Sequence, residues 1–206
     1  YYYIKYLSED GKSFQKDIDS ILNEIDLSLS IYNDNSIISK INNGDSVKTD
    51  LLFNSVFKIS KEVYRKTNGY FDCSINPLVN YWGFYNYTGS KEIFIDTLEI
   101  ISILNNIGLE KIELKNNFVQ MPKNMSLDFN SLAQGFTVDL IGSYLKKMGV
   151  NDFLVNVGGE NLASGYNEDG DLWKIGIEKP INQVSNDYKL ILTLHNSAIA
   201  TSGNYR

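Results

Sequence analysis

The pattern of apolar residues changes along the chain, and this change is the strongest constraint on the fold. Residues 13–29 repeat apolar side chains every three or four positions, which predicts an amphipathic helix; they are Ile18, Ile21, Leu22, Ile25 and Leu29. After residue 150 the chain contains short β-strand patterns such as D-F-L-V-N-V, W-K-I-G-I-E and Y-K-L-I-L-T-L. Strands that cluster, rather than alternate with helices, predict an α+β fold with mostly antiparallel strands and packed helices.

Local signals divide the rest of the chain into shorter elements. Strands are predicted over residues 1–7, 70–75, 111–114, 118–121, 125–129, 161–165 and 197–202. A short helix over 36–42 would be capped by Asp34 or Ser36. A longer helix begins at Thr49-Asp50 and ends at Asn68-Gly69, with one apolar face formed by Leu52, Val56, Ile59 and Val63. Helices over 95–107 and 131–148 end at Gly108 and Gly149.

Composition limits the class of protein. The chain has 206 residues, of which 43 % are hydrophobic, enough for one globular domain with a real core over residues 1–206. The net charge of −6 disfavours a general nucleic-acid or anionic-membrane surface. No apolar run approaches the roughly 18 residues of a membrane span, and no signal peptide is visible. Both ends read as strands or turns that should continue, so we expect the domain to be incomplete at each end.

Familiar catalytic motifs are absent from the sequence. There is no phosphate-binding loop of the G-x-x-x-x-G-K-[ST] type, no G-x-G-x-x-G after a strand, and no H-E-x-x-H. The single cysteine, Cys73, excludes an internal disulfide and is expected to be a buried, inert thiol. The single histidine, His195, is expected at the surface or in a turn.

The stretch M-S-L-D-F-N-S-L-A-Q-G-F-T-V-D-L, residues 125–140, is unusual for a core helix. Glycine inside a helix costs about 1 kcal/mol relative to alanine, so Gly135 suggests close approach of another chain segment or a ligand. Ser131 falls at or near the N-cap, where backbone N–H groups are open to an anion. Asp128 ends the preceding strand and could hold a ring N–H or a hydroxyl group. The alternative is that Asp128 and Ser131 only cap the helix.

A second candidate site is the segment L-V-N-V-G-G-E-N-L-A-S-G, residues 154–165. A turn at Gly158-Gly159 has no side chains, so a flat or phosphorylated group could touch its backbone. The alternative is a tight hairpin without a ligand. Aromatic residues in S-L-S-I-Y-N and T-N-G-Y-F-D could stack on a ring or could belong to the core.

Taken in order, four segments resemble the ApbE family of flavin transferases over nearly the whole chain. They are S-L-S-I-Y-N-D-N-S-I-I-S-K-I-N, T-N-G-Y-F-D-C-S-I-N-P-L-V-N-Y-W-G-F, S-L-D-F-N-S-L-A-Q-G-F-T-V-D and L-V-N-V-G-G-E-N-L-A-S-G. The resemblance implies an FAD:protein FMN transferase that uses Mg²⁺. Such an enzyme transfers the FMN moiety of FAD to a threonine hydroxyl of a partner flavoprotein and releases AMP.

The resemblance also implies roles for individual residues. Ser131 would offer its backbone carbonyl to Mg²⁺, and Asp128 would contact the flavin. Gln134 takes a ligand-contacting position where the family usually has lysine or glutamate. Other implied FAD contacts are Tyr32, which would stack on the flavin, the flavin-contacting segment Tyr70, Phe71 and Asp72, and the turn Gly158, Gly159 and Glu160 beside the nucleotide. The catalytic base is not identified within this chain.

The family domain also contains parts that this sequence does not. A segment His-x-x-Asp-Pro-x-Thr-Gly and two metal ligands, an Asp and a Thr, would follow Arg206, and a Gly-Thr strand would precede Tyr1. We therefore expect weak or no Mg²⁺-dependent transfer by these 206 residues alone, and activity in a longer protein. Family members are commonly exported lipoproteins, anchored outside the cytoplasmic membrane. The alternatives are a Mg²⁺-dependent FAD pyrophosphatase, a non-catalytic flavin-binding protein, and a structural or adhesion module without flavin.

Overall fold

The computed structural model describes residues 1–84, 96–178 and 188–202. The chain divides into two compact units. The first unit comprises Tyr1–Ile21 and Gln134–Arg206, and the second comprises Leu22–Ala133. The expectation of one domain over residues 1–206 stays a prediction.

Most helices and strands lie where the sequence predicts them, but helix α4 was not predicted. The helices are α1 (Gln15–Leu29), α2 (Ile37–Asn42), α3 (Leu51–Lys66), α4 (Asn76–Tyr81), α5 (Thr97–Leu104) and α6 (Asn130–Lys147). The strands are β1 (Tyr2–Tyr6), β2 (Glu113–Lys115), β3 (Phe118–Gln120), β4 (Phe153–Val157), β5 (Glu160–Ser164), β6 (Trp173–Glu178), β7 (Tyr188–Leu194) and β8 (Ser197–Ile199). A 3₁₀ turn spans Leu109–Lys111.

The strands pair in antiparallel fashion, which confirms the α+β prediction. In the first unit β1, β4, β5 and β8 form one sheet in the order β1-β4-β5-β8, and β6 pairs with β7. In the second unit β2 pairs with β3. Val157 pairs with Glu160, so β4 and β5 are joined by a two-residue turn.

A glycine lets helix α6 lie close to the sheet of the first unit. A Cβ built at Gly142 would stand 2.5 Å from Leu162 and 3.4 Å from the ring of Phe153. Phe14 supports the same helix, with its ring 6.1 Å from that of Tyr144 in an edge-on arrangement. A side chain at position 142 would therefore require the strand residues to shift.

Strands β6 and β7 contribute to a smaller apolar cluster in the first unit. Its buried members are Leu154, Ala163, Trp173 and Leu194. The indole Nε1 of Trp173 donates a hydrogen bond to the carbonyl of Ser164 at 2.9 Å. This bond satisfies the one polar atom that the tryptophan brings into the cluster.

In the second unit, side-chain caps begin two helices. Ser36 accepts a hydrogen bond from the N–H of Ser39 at 3.0 Å, so Ser36 rather than Asp34 caps α2. Asp50 caps α3 by accepting from the N–H of Phe53 at 2.7 Å. Residues Asn68 and Gly69 after α3 have φ angles of 53° and 83°, which confirms the predicted left-handed stop.

The buried face of α3 differs from the prediction. The buried residues are Phe53, Val56, Phe57 and Ser60. Of the predicted face, only Val56 is buried, while Leu52 and Val63 are half-buried and Ile59 is 38 % exposed. The ring of Phe53 packs edge-on against Phe129 at 5.3 Å. Burial of the larger aromatic side chains outweighs burial of the aliphatic stripe.

The predicted strand over residues 70–75 is wrong, because the segment forms a turn. The Asp72 carboxylate accepts hydrogen bonds from the N–H and the hydroxyl of Ser74, at 2.8 and 2.7 Å. This short-range side-chain bonding competes with extended pairing.

The predicted strand over residues 125–129 does not form either. Burial alternates as in a strand, with Met125, Leu127 and Phe129 buried. However, the N–H and C=O groups of Leu127 bond to the side-chain amide of Asn42, at 2.7 and 2.8 Å, instead of to another strand. The segment is extended without a ladder because a side chain satisfies its backbone.

Cys73 and His195 lie where the sequence predicts. Cys73 is buried, and burial raises the pKa of its thiol to about 12, as expected for an inert cysteine. His195 is exposed between β7 and β8, with its ring centroid 5.0 Å from that of Tyr166. None of the helices in the described ranges combines the length and the apolar character that a membrane crossing needs.

Candidate functional site

Asp128 organises the start of helix α6. Its Oδ1 accepts a hydrogen bond from the N–H of Asn130 at 2.7 Å, and α6 begins at Asn130. Ser131 is therefore the second helical residue, near the cap rather than at it, and it is exposed. Asp128 thus bonds the first N–H of the helix without being the N-cap, because the carbonyl of Phe129 accepts from the N–H of Ala133 at 2.8 Å. Its contact with a ligand stays a prediction.

Tyr32 lies beside this helix start in the second unit. It follows α1, its side chain is 70 % exposed, and its hydroxyl accepts a hydrogen bond from Asn130 Nδ2 at 3.3 Å. The fold therefore joins Tyr32 to the Asp128 turn across about a hundred residues of sequence. Asn130 was not among the predicted site residues. Its polar side chain at the first helical position was the signal that could have identified it.

The segment Tyr70, Phe71 and Asp72 reaches the same turn through the backbone. The N–H of Asp128 donates to the carbonyl of Cys73 at 2.8 Å. Tyr70 is 96 % exposed and Phe71 is half-buried. The second unit thus brings the segment 70–73 against Asp128 and leaves one large aromatic ring open to solvent.

The Asp72 carboxylate is already used within the second unit. Besides Ser74, it accepts a hydrogen bond from the N–H of Leu109 through Oδ2 at 3.2 Å. The hydroxyl of Ser74 in turn accepts from the N–H of Gly108 at 2.8 Å. Asp72 therefore holds two loops together, and its implied contact with the flavin stays a prediction.

A buried amide next to this segment was also missed from the sequence. Asn76 donates from Nδ2 to the hydroxyl of Ser126 at 2.8 Å. Its Oδ1 is buried and accepts no hydrogen bond from the described residues. A buried acceptor without a partner is rare in folded proteins and is most often satisfied by an ordered water.

In the first unit, Gly158 and Gly159 form the turn between β4 and β5. Their φ angles are 61° and 102°, and positive φ at both central residues is the geometry of a tight type I′ hairpin. The N–H of Gly158 donates to the carbonyl of Tyr1 at 3.2 Å, and the carbonyl of Gly159 accepts from Asn161 at 2.7 Å. The turn is thus a tight hairpin, and the nucleotide contact of this turn stays a prediction.

Gln134 and Glu160 lie at this hairpin in the first unit. A Cβ built at Gly158 would be 2.1 Å from Nε2 of Gln134. Glu160 is half-buried, and its Oε2 is buried without a hydrogen-bond partner among the described residues. An unpartnered carboxylate oxygen is costly unless a donor or a cation meets it, so this atom fits a bound group.

Gly135 adds open space to the first turns of α6. Apart from its chain neighbours and the backbone of its own helix, no described atom lies within 4 Å of a Cβ built at this position. The expectation that another chain segment packs closely against Gly135 is therefore wrong for the described residues. The other half of that expectation, approach of a ligand, stays a prediction.

The metal prediction depends on Ser131 alone in this chain. Within the described ranges, no three His, Cys, Asp or Glu side chains group as metal ligands. In an α-helix the carbonyl of residue 131 points towards the N–H of residue 135, and a carbonyl oxygen has a second lone pair. Ser131 therefore fits the role of one hard oxygen ligand and cannot hold Mg²⁺ by itself.

Comparisons with known proteins agree with the fold. The sequence profile of the ApbE family matches residues 1–206. An FAD:protein FMN transferase of Vibrio cholerae serotype O1 is 32 % identical over 215 aligned positions, and one of Haemophilus influenzae is 29 % identical over 219. Each alignment covers 100 % of this chain and 63 % of the relative, so the chain spans less than two thirds of their length.

Solved structures of ApbE proteins have the same fold as this chain. The flavin transferase ApbE from Vibrio cholerae has a TM-score of 0.85 at 29 % identity, covering 100 % of this chain and 68 % of that one. The apo form of the Pseudomonas stutzeri flavinyl transferase ApbE has a TM-score of 0.84 at 29 % identity, covering 99 % and 66 %. On the match along all of its residues and the shared fold, the chain belongs to the ApbE family.

Proposed function

We propose that this chain binds FAD and belongs to a flavin transferase. The full-length protein transfers the FMN moiety of FAD to a threonine hydroxyl of a partner flavoprotein and releases AMP. The observation that carries this proposal is the alignment of the whole chain with relatives named FAD:protein FMN transferase. The exposed aromatic rings and the unpartnered oxygen described above support it.

In the second unit, the flavin contacts are assigned to Tyr32, Tyr70, Phe71 and Asp128. Tyr32 and Tyr70 expose their rings to solvent, where a flat isoalloxazine ring can stack on them. Asn130 holds the Tyr32 hydroxyl, which restricts how that ring can move. Asp128 offers a carboxylate at the same turn and can accept a hydrogen bond from a ring N–H. Asp72 contributes by fixing the loop that carries Tyr70.

In the first unit, the nucleotide contacts are assigned to Gln134, Gly158, Gly159 and Glu160. The glycine turn leaves backbone open to a ligand, and Gln134 can both donate and accept a hydrogen bond. Because Gln134 is neutral, it would recognise its group through hydrogen bonds rather than charge. The buried Oε2 of Glu160 would accept a hydrogen bond from the ligand or lie against a cation.

The reaction displaces AMP from phosphorus. The threonine oxygen bonds to the phosphorus of the FMN half, the bond from that phosphorus to the bridging oxygen breaks, and AMP leaves with that oxygen. The hydroxyl proton passes to a base outside the assigned residues. Bound Mg²⁺ would neutralise charge on the pyrophosphate, with the Ser131 carbonyl as one ligand and further ligands supplied outside the described residues.

The acceptor and the location follow from the resemblance alone. The partner is a flavoprotein with a reactive threonine. The cellular site is the extracytoplasmic side of the membrane, with a lipid anchor carried by a part of the protein outside this sequence. No nucleic-acid partner is proposed, because the chain carries a net charge of −6.

One experiment separates the proposal from its rivals. The full-length protein is incubated with FAD, Mg²⁺ and a threonine-bearing acceptor peptide, and the mass of the peptide is measured by mass spectrometry. We expect a mass gain equal to FMN minus water, no gain without Mg²⁺, and no gain when the threonine is replaced by valine. Free FMN formed with FAD and Mg²⁺ alone would indicate a pyrophosphatase. FAD binding without either product would indicate a flavin-binding protein.

A further inference from the structure

We propose that Gly158 is a positioning residue for Gln134. The absent side chain of this hairpin glycine provides the space in which the Gln134 amide lies. The hairpin thereby limits where this uncharged amide can lie before the ligand binds. The ligand part of this inference rests on the proposed function, whereas the packing part does not.

The backbone angle alone does not explain a glycine at position 158. Its φ of 61° lies in the left-handed region, which asparagine also adopts. This protein uses asparagine at several such positions, namely Asn68, Asn116, Asn117, Asn124 and Asn196, with φ between 48° and 67°. Residue 158 could therefore be asparagine if only the turn mattered.

The space around Gly158 supplies the missing reason. An added Cβ would lie 2.1 Å from Nε2, 2.7 Å from Cδ and 3.3 Å from Cγ of Gln134. Any side chain at position 158 must therefore displace the whole end of Gln134. Gly159 differs from Gly158 in both respects. Its φ of 102° lies outside the range of these asparagines. The nearest atom to an added Cβ, Thr201 Oγ1, is 3.8 Å away, so space is available there. The two neighbouring glycines are needed for different reasons.

The contact with Gly158 restricts where the Gln134 side chain can lie. Gln134 is exposed, and the backbone of Gly158 lies against its amide, so this contact limits the side chain on one side. A side chain held before binding loses less rotamer entropy when the ligand arrives. Displacing the amide should therefore weaken FAD binding as much as removing it does.

The test is a double-mutant cycle with a matched glycine control. The variants are Gly158→Asn, Gln134→Ala and the double variant, with Gly11→Asn as the control. Gly11 belongs to the same unit and has φ 66°, and no described atom lies within 4 Å of an added Cβ. Gly11→Asn thus measures the effect of the left-handed angle without the packing conflict.

Two measurements are made on each variant, FAD affinity and melting temperature. We expect Gly158→Asn and Gln134→Ala each to weaken FAD binding by about tenfold, the value of one hydrogen bond, and the double variant to be no weaker than either. Gly11→Asn should leave the affinity unchanged. Because Gln134 is exposed and its tip can move, we expect Gly158→Asn to lower the melting temperature only slightly more than Gly11→Asn, and Gln134→Ala to abolish that excess.

Each outcome has a separate meaning. Additive losses of affinity in the double variant would overturn the positioning role. An excess loss of melting temperature that persists in the Gln134→Ala background would overturn the packing contact itself. If the wild-type protein bound no FAD, the proposed function would fail, and the melting temperatures would still test the contact.

Discussion

Gly135→Ala offers the sharpest test of the assigned ligand site, because stability and binding should change in opposite directions. Position 135 lies inside α6 and carries an ordinary helical backbone, with no described atom within 4 Å of the new methyl group. Alanine is favoured over glycine in a helix interior by about 1 kcal/mol. Nothing in the described structure opposes this gain.

The expected stabilisation is measurable. For a chain of 206 residues, a gain of about 1 kcal/mol corresponds to a rise in melting temperature of about 2–4 °C. Thermal and urea unfolding of the ligand-free protein would record it. Gly142→Ala in the same helix is the control, because its Cβ would stand 2.5 Å from Leu162, so we expect no comparable rise.

Binding of FAD should weaken in the same variant. The added methyl group would occupy the open space at position 135 that we assign to a ligand. Titration of FAD with and without Mg²⁺ measures the change. If the Gly135→Ala variant is more stable and binds FAD as tightly as the wild type, the assignment of this space to a ligand is refuted. A variant that is less stable would refute the helix argument.

Three further changes test individual contacts. Asp128→Ala should weaken FAD binding in titrations while costing about 1 kcal/mol of folding stability, as for the loss of a cap; unchanged affinity would contradict the flavin role. Tyr32→Phe should retain stacking and FAD affinity although it loses the Asn130 bond, whereas Tyr32→Ala should weaken binding; equal affinities would exclude stacking. The hydrogen bond to Glu110 raises the pKa of Tyr64 to about 12 from 10.0, so its contribution to stability is complete below about pH 10 and is lost as the pH rises towards 12. Urea unfolding between these pH values should show that loss in the wild type, and Tyr64→Phe should reduce it; an unchanged slope would show that another group is responsible.

Some local features of the candidate site could be predicted from sequence, whereas its contacts with a ligand stay predictions. The exposed ring of Tyr32 and the glycine turn at 158–159 lie within short motifs, and the motif order was enough to identify the family. The bonding state of the carboxylates was not predictable. Asp72 accepts a hydrogen bond from the N–H of Leu109, which is 37 residues away, and no local sequence pattern predicts that partner.

The sequence by itself determined the order and type of most elements, since periodicity, caps and glycine stops act over a few residues. The tertiary structure decided which of those residues are buried and which partners their backbone groups bond. It buried Phe53 and Phe57 rather than the aliphatic stripe of α3, and it satisfied the backbone of Leu127 with the side chain of Asn42, 85 residues away, instead of a strand. It also set Gln134 against Gly158. Such contacts depend on chain segments that are distant in sequence, so local propensity cannot predict them.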